Sequence, residues 1–187
     1  MPTAEAVARY FLHLAAMTEE PSPITHMQLH KLLYYAQGWC LASRDRPLFV
    51  ARFQAWAHGP VEVAVYPRFA DYEADPIAKH EAADEPSLNQ DDRAVIESVW
   101  FGYGKYAAWQ LREMTHKERP WQDARGGLSE REPSRAAITD ETMRAFFRSV
   151  HETQCRRRGI DPDRLAESVR QARCGETTDF DLSRAGM

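Results

Sequence analysis

His26 and His30 lie four residues apart in the run ITHMQLHKLLYYAQGW, Ile24 to Trp39. On a helix that spacing puts two imidazoles on one face, as in zinc-binding pairs. The metalloprotease version needs a glutamate after the first histidine, where Met27 stands, and spacing suggests no third ligand. The pair therefore reads as two partly exposed histidines, and no metal is expected. His58 precedes Gly59-Pro60, where a tight turn can project its ring, and His116 follows Thr115 at a helix end, where the terminal carbonyls favour an imidazolium. A hydrolase would give His58 or His116 a nucleophile and an orienting carboxylate. No G-x-S-x-G elbow, P-loop or dinucleotide glycine fingerprint is present. The stretch THKERPW reads instead as a structural latch. Thr115, His116 and Glu118 can satisfy backbone groups at the helix end, with Pro120 beside them and Trp121 supplying buried area. No catalytic residue and no cofactor are expected.

The elements that must position these residues are mainly helical. Val7, Tyr10, Phe11 and Leu14 recur at helical spacing, and Pro21 and Pro23 end that region. Thr25 opens a second helix reaching Ala42, with Gln28 at capping-box spacing and Ile24 and Leu29 placed as a hydrophobic staple. Leu48–Val50 and Phe53–Trp56 are β-prone and are expected to pair as a hairpin that His58-Gly59-Pro60 breaks. Val61 to Tyr72 then resumes a helical pattern that Pro67 ends or kinks. Further helices are expected from about Asn89 to Tyr103, from Tyr106 to Thr115, and after the cap Thr139, where Phe146, Phe147 and Val150 face inward. Pro120-Trp121 and Gly126-Gly127 read as an irregular stretch. Asp161 to Arg173 is a weaker amphipathic helix, and Glu176 to Met187 a polar tail. The expected fold is a compact multi-helix domain, mainly α, with a small β-hairpin or short strands near residues 48–57. Residues 1–150 form the domain, and residues 151–187 a helical extension and flexible tail.

The second helix has an unusual wheel. Leu29, Leu32, Leu33, Ala36 and Cys40 form one apolar arc. Opposite lie Met27, Lys31, Tyr34, Tyr35 and Gly38, where a surface helix would carry Glu, Lys and Gln. Either neighbouring helices enclose this face, or it meets a partner, since Tyr and Met suit interfaces and Gly38 would admit a partner backbone. A lysine is seldom buried unless paired. Lys31 therefore implies that part of the face is open or meets a carboxylate.

A chain of 187 residues with 43% hydrophobic residues and net charge -4 suits one globular domain without a dominant basic field. Direct nucleic-acid binding is not expected. The basic run Arg156–Arg158 lies among Glu152, Asp161 and Asp163, as a solvated helix end would; a nucleic-acid-linked regulator would use it. Cys40, Cys155 and Cys174 have no disulfide or zinc spacing, which fits a reducing cytoplasm. No signal peptide and no membrane span are expected.

ITHMQLHKLLYYAQGW, followed by PLF (Pro47 to Phe49), AWAHGPV (Ala55 to Val61), Tyr66, Tyr103-Gly104 and LREMTHKERPW (Leu111 to Trp121), resembles the Panacea domain. This is the SocA-like, GepA-related family of bacterial and phage-associated antitoxins. The resemblance runs from about Ala4 to Val150. The family commonly shows Leu where Met114 stands and often an aromatic where Ala57 stands. It implies a non-enzymatic, chaperone-like platform that neutralises a cognate toxin protein, usually encoded beside it. Neutralisation is by direct masking or by an adaptor mechanism that delivers the toxin to an ATP-dependent protease. The expected partner-binding residues are Met27, Lys31, Tyr34, Tyr35, Trp56, His58 and Tyr66. Thr25, Gln28, Gly59, Pro60, Thr115, His116, Glu118, Pro120 and Trp121 complete the structural motif.

Overall fold

The computed structural model describes residues 1–18, 23–82 and 88–161. Two units divide the chain, Met1–Arg148 and Ser149–Met187. The first is mainly helical and holds a three-stranded antiparallel sheet. Its first helix, α1 (Ala4–Met17), buries Val7, Tyr10 and Phe11, with Leu14 half-buried behind them. Helix α2 (His26–Arg44) starts at Thr25, whose side chain accepts from Gln28 N. Only half of the expected capping box forms. The Gln28 amide instead donates to Gly104 O (3.3 Å) and Tyr106 O (3.0 Å), tying α2 to the end of a distant helix.

Helix α2 is the axis of the fold. It packs on α1, on α4 (Gln90–Tyr103), on α5 (Ala108–His116) and on strand β2 (Gly59–Glu62). Both of its arcs are buried, which explains a helix apolar on nearly all sides. Gly38 serves this enclosure: a Cβ there would overlap the ring of Phe147. The close approach comes from the chain's own Phe147 rather than from a partner.

The hairpin differs from the expected pairing. Strand β1 (Phe53–Trp56) pairs with β2, from Phe53 opposite Glu62 to Trp56 opposite Gly59, and not with Leu48–Val50. The reason is Gln37. Its Oε1 accepts from Leu48 N (3.0 Å) and Phe49 N (3.3 Å), and its Nε2 donates to Phe49 O (3.3 Å), so a side chain of α2 takes the bonds a strand would have made. Gly59-Pro60 opens β2 instead of breaking the hairpin, with Gly59 at φ +96 just after a two-residue turn. A continuous helix from Val61 to Tyr72 does not form either. Glu62 is fully buried, and its carboxylate accepts from Arg52 N (2.9 Å), Ala64 N (2.8 Å) and Val65 N (2.9 Å). That ring of bonds turns the chain out of the sheet into the short α3 (Tyr66–Phe69), where Pro67 sits in the first turn and its missing N–H costs nothing.

Helix α4 is capped by Asn89, whose side chain accepts from Asp92 N (2.8 Å). The stretch expected to be irregular contains a helix, α6 (Arg119–Arg125), with Pro120 in its first turn and Gly126 as its left-handed cap at φ 58. Ala137–Ile138 forms the outer strand β3 on β1, a piece too short to show periodicity. Helix α7 (Asp140–Arg157) follows. Within the first unit it contributes Phe147, which is buried, and Phe146, which is half-buried. In the second unit Arg156 pairs with Glu152 at 3.4 Å. The expected helix beyond Asp161 and the tail from Glu176 lie outside the described residues. Among the described residues no helix is long and apolar enough to cross a membrane.

Candidate functional site

Met27, Lys31, Trp56, His58 and Tyr66 meet around one cavity of about 380 Å³. The first turns of α2 contribute His26, Met27, His30 and Lys31. The β1–β2 hairpin contributes Trp56, Ala57, His58 and Val61. Tyr66 opens α3, and Glu73 and the loop Pro133–Arg135 complete the wall. His58, Glu73 and Arg135 are exposed at the mouth, whereas Lys31 is only 1% exposed.

The other two expected contacts do not reach it. Tyr34 and Tyr35 are 0% and 1% exposed, which corrects their placement on an open face. Tyr35 stacks on Tyr103 with ring centroids 4.0 Å apart and donates to Glu118 Oε1 (3.0 Å). Tyr34 packs edge-on against Phe53 and Phe147. Burial raises both phenol pKa values and lifts the Glu118 carboxyl to about 7, against the pull of the tyrosine hydroxyls.

The floor of the cavity is where α2 meets the free edge of β2. In a hairpin with a two-residue turn, Trp56–Gly59 and Gln54–Val61 are the hydrogen-bonded pairs, so Pro60 and Glu62 direct their backbone groups outward. Pro60 has no N–H to lose there. Its carbonyl accepts from Lys31 Nζ (3.1 Å), and Glu62 N donates to His30 Nδ1 (3.3 Å). The second bond sets a tautomer. With Nδ1 accepting, neutral His30 carries its proton on Nε2 and donates it to His26 Nε2, 2.8 Å away. His26 then holds its own proton on Nδ1. Both rings are kept neutral: burial, then the charges of His26 and Lys31, hold His30 well below the usual range, while burial and Lys31 lower His26.

Lys31 is the exceptional group. Burial, with Arg112 adding like charge, brings its amine down to about 7. No carboxylate lies within ion-pair distance of it among the described residues, so of the two alternatives left by the wheel, an opening or a carboxylate, the second is not met, and Lys31 borders the cavity instead. Its neighbour Gly59 has a second reason to lack a side chain: a Cβ would lie 2.6 Å from Lys31 Cε and 2.8 Å from Thr115 Oγ1.

The aromatic wall is continuous. Tyr66 contacts His26 and Trp56, each with centroids 4.8 Å apart, and lies over His30 at 5.8 Å. The latch holds this wall from behind. Trp121 is buried, stacks on His116 (3.9 Å, 11°) and donates from Nε1 to Trp56 O (2.9 Å). Arg125, buried behind the wall and unmarked by any sequence motif, donates to Ala55 O (3.0 Å), Ser129 O (2.5 Å) and Glu132 O (2.7 Å). One guanidinium thus fixes both the hairpin and the segment leading to Pro133–Arg135. Its position in the last turn before Gly126-Gly127 is the only signal the sequence offers.

A hydrolytic reading finds the residue types but not the links. His58, Glu73 and Ser134 border the same cavity, yet no hydrogen bond joins them among the described residues, and Ser134 Oγ accepts from Ala136 N (3.2 Å). His116 is stacked on Trp121 away from the cavity; burial and Arg112 lower its pKa, with Glu130 opposing. Among the described residues no cluster of three or more His, Cys, Asp or Glu is placed to hold a metal ion. The arrangement is suited to binding: an apolar, aromatic-walled hollow with one ammonium at its base.

The family model "Antitoxin SocA-like, Panacea domain" matches residues 29–122, which include most of α2, the hairpin, α4 and α5 and the start of the latch helix. The chain is also similar to Antitoxin SocA of Caulobacter vibrioides (strain NA1000 / CB15N), at 31% identity over 156 residues, 78% of this chain and 82% of that protein. No solved structure matches significantly.

Proposed function

We infer the function from one fact: the chain belongs to the antitoxin SocA-like, Panacea-domain family. Membership supports an antitoxin role, and with it a toxin as partner. We assign toxin binding to the cavity and its rim, with Trp56, Tyr66 and Met27 as anchors and Lys31 as the charge at the base. The observation that carries this reading is the convergence of Met27, Lys31, Trp56, His58 and Tyr66, distant in sequence, on one hollow. Half-buried aromatics around a concavity give large contact area at low entropic cost, and a deep charge adds orientation.

In this reading neutralisation is non-enzymatic and occurs in the cytoplasm, by masking the toxin. The same binding step serves delivery to an ATP-dependent protease, a role we assign to the second unit, Ser149–Met187, because the cavity belongs wholly to the first. No cofactor, membrane or nucleic acid takes part. Co-expression with the toxin encoded beside it tests the site. Trp56→Ala and Tyr66→Ala should abolish growth rescue while circular dichroism stays native. Full rescue by both folded variants would refute the assignment. Toxin abundance with and without the host's ATP-dependent proteases separates masking, where it is unchanged, from delivery, where it rises on protease removal.

A further inference from the structure

We propose that the cavity captures the C-terminal residue of the partner protein, seating a large apolar side chain against the wall that Trp56 and Tyr66 form and the terminal carboxylate against the Lys31 ammonium. This rests on the cavity being the toxin-binding site and states which part of the toxin enters it. Lys31 is 1% exposed, its one hydrogen bond among the described residues goes to Pro60 O, and an ammonium has three N–H groups to satisfy. The charge that acts on it is the like charge of Arg112, and the two imidazoles beside it are neutral, so no anion among the described residues balances it. A buried cation without an anion is costly, and one carboxylate supplied from outside removes that cost.

The shape selects how the carboxylate arrives. At about 380 Å³ the hollow exceeds one side chain, and its walls are chiefly aromatic and aliphatic. A chain passing through would bury peptide groups against those walls, each needing a partner. A chain end brings one anion, one apolar side chain and few peptide groups, and the exposed Arg135 and His58 at the mouth can meet the carbonyls that trail behind. The Lys31–Pro60 bond holds the amine at the base of the hollow, and the carboxylate adds to that contact.

The test uses the full chain and acetyl-Gly-Gly-Phe as probe, as free acid and as C-terminal amide, with phenylacetate as a third ligand, all measured by titration calorimetry. The free acid should bind at least tenfold more tightly than its C-terminal amide, and Lys31→Met should abolish that preference while keeping a native circular dichroism spectrum. Equal affinity for acid and amide, or an undiminished preference in Lys31→Met, would overturn the proposal. Phenylacetate binding as tightly as the peptide acid would also overturn it, in favour of a free small carboxylate. Should the acid fail to bind while Trp56→Ala still abolishes toxin rescue, the chain-end proposal falls and the cavity stands as the interface. If Trp56→Ala also leaves rescue intact, the site assignment itself falls.

Discussion

Replacing Lys31 by Met should make the protein more stable, by an amount that depends on pH. The amine has its ordinary value of 10.5 in the open chain and about 7 in the fold. At 1.36 kcal/mol per pKa unit, the fold therefore bears about 5 kcal/mol for holding the charged form. Below pH 7 the amine is protonated in both states and the full cost is present. Between 7 and 10.5 the unfolded chain keeps a proton that the folded one has released, so wild-type stability rises with pH. Met fills nearly the same volume, carries no charge, and leaves Pro60 O without its donor, a loss of about 1 kcal/mol that is independent of pH. Urea denaturation of both proteins should show the variant ahead by about 4 kcal/mol near pH 6, its lead shrinking by about 3 kcal/mol towards pH 9. Glu118 and other titrating groups common to both proteins cancel in the difference. His26 and His30 do not cancel completely, because Lys31 is one of the charges that lowers them, but their effect is confined to the acid end of the range. Parallel stability curves for the two proteins would refute the reasoning, because they would mean that Lys31 titrates alike in the folded and unfolded chains.

Glu118→Gln should stabilise by up to about 3 kcal/mol above pH 7 and by little below pH 4.5, since a carboxyl raised to about 7 loses folding free energy as pH climbs through that window; thermal melts at pH 4 and 8 would show it. Gly59→Ala should cost about 2–4 kcal/mol in urea melts, combining positive φ with overlap on Lys31 and Thr115, whereas Gly126→Ala, with open space around it, should cost about 1 kcal/mol. Glu73 holds φ 47 at the cavity mouth, so Glu73→Gly should raise stability by about 1 kcal/mol in urea melts. A chain ended after Gly159 should still bind toxin in a pull-down but lose its proteolysis if the second unit recruits the protease; unchanged degradation would remove that role.

What could be read from the sequence follows the range of the forces involved. Caps act within a turn, so Thr25, Asn89 and Thr139 mark the starts of α2, α4 and α7 from neighbouring residues alone. The hairpin partner was not readable because Gln37 and Glu62, polar side chains distant from or beside the strands, decide where backbone bonds go. Helix α6 hid behind a proline that reads as a breaker yet sits in a first turn. At the site, the residue types of the rim were legible in the motif AWAHGPV and in Lys31. Their meeting was not, because it depends on the latch: Trp121 and Arg125 bond to the carbonyls of Trp56 and Ala55, and no periodicity encodes a contact with a carbonyl. The aromatic pair Tyr34-Tyr35 misled for the opposite reason. Its chemistry suits an interface, but the rings of Tyr103, Phe53 and Phe147 occupy that face from within.

The free edge of β2 has a consequence for how anything can attach to this protein. An open strand edge is a template on which foreign chains add by backbone pairing, whether as partners or as aggregates. Here Lys31 takes the outward carbonyl of Pro60, His30 takes the outward N–H of Glu62, and proline removes the remaining donor. The template is spent on the protein's own helix. A polypeptide arriving at this edge finds the Pro60 carbonyl and the Glu62 N–H already taken, with the Glu62 carbonyl left over, too little for a ladder to extend. Only its side chains and its end can be read.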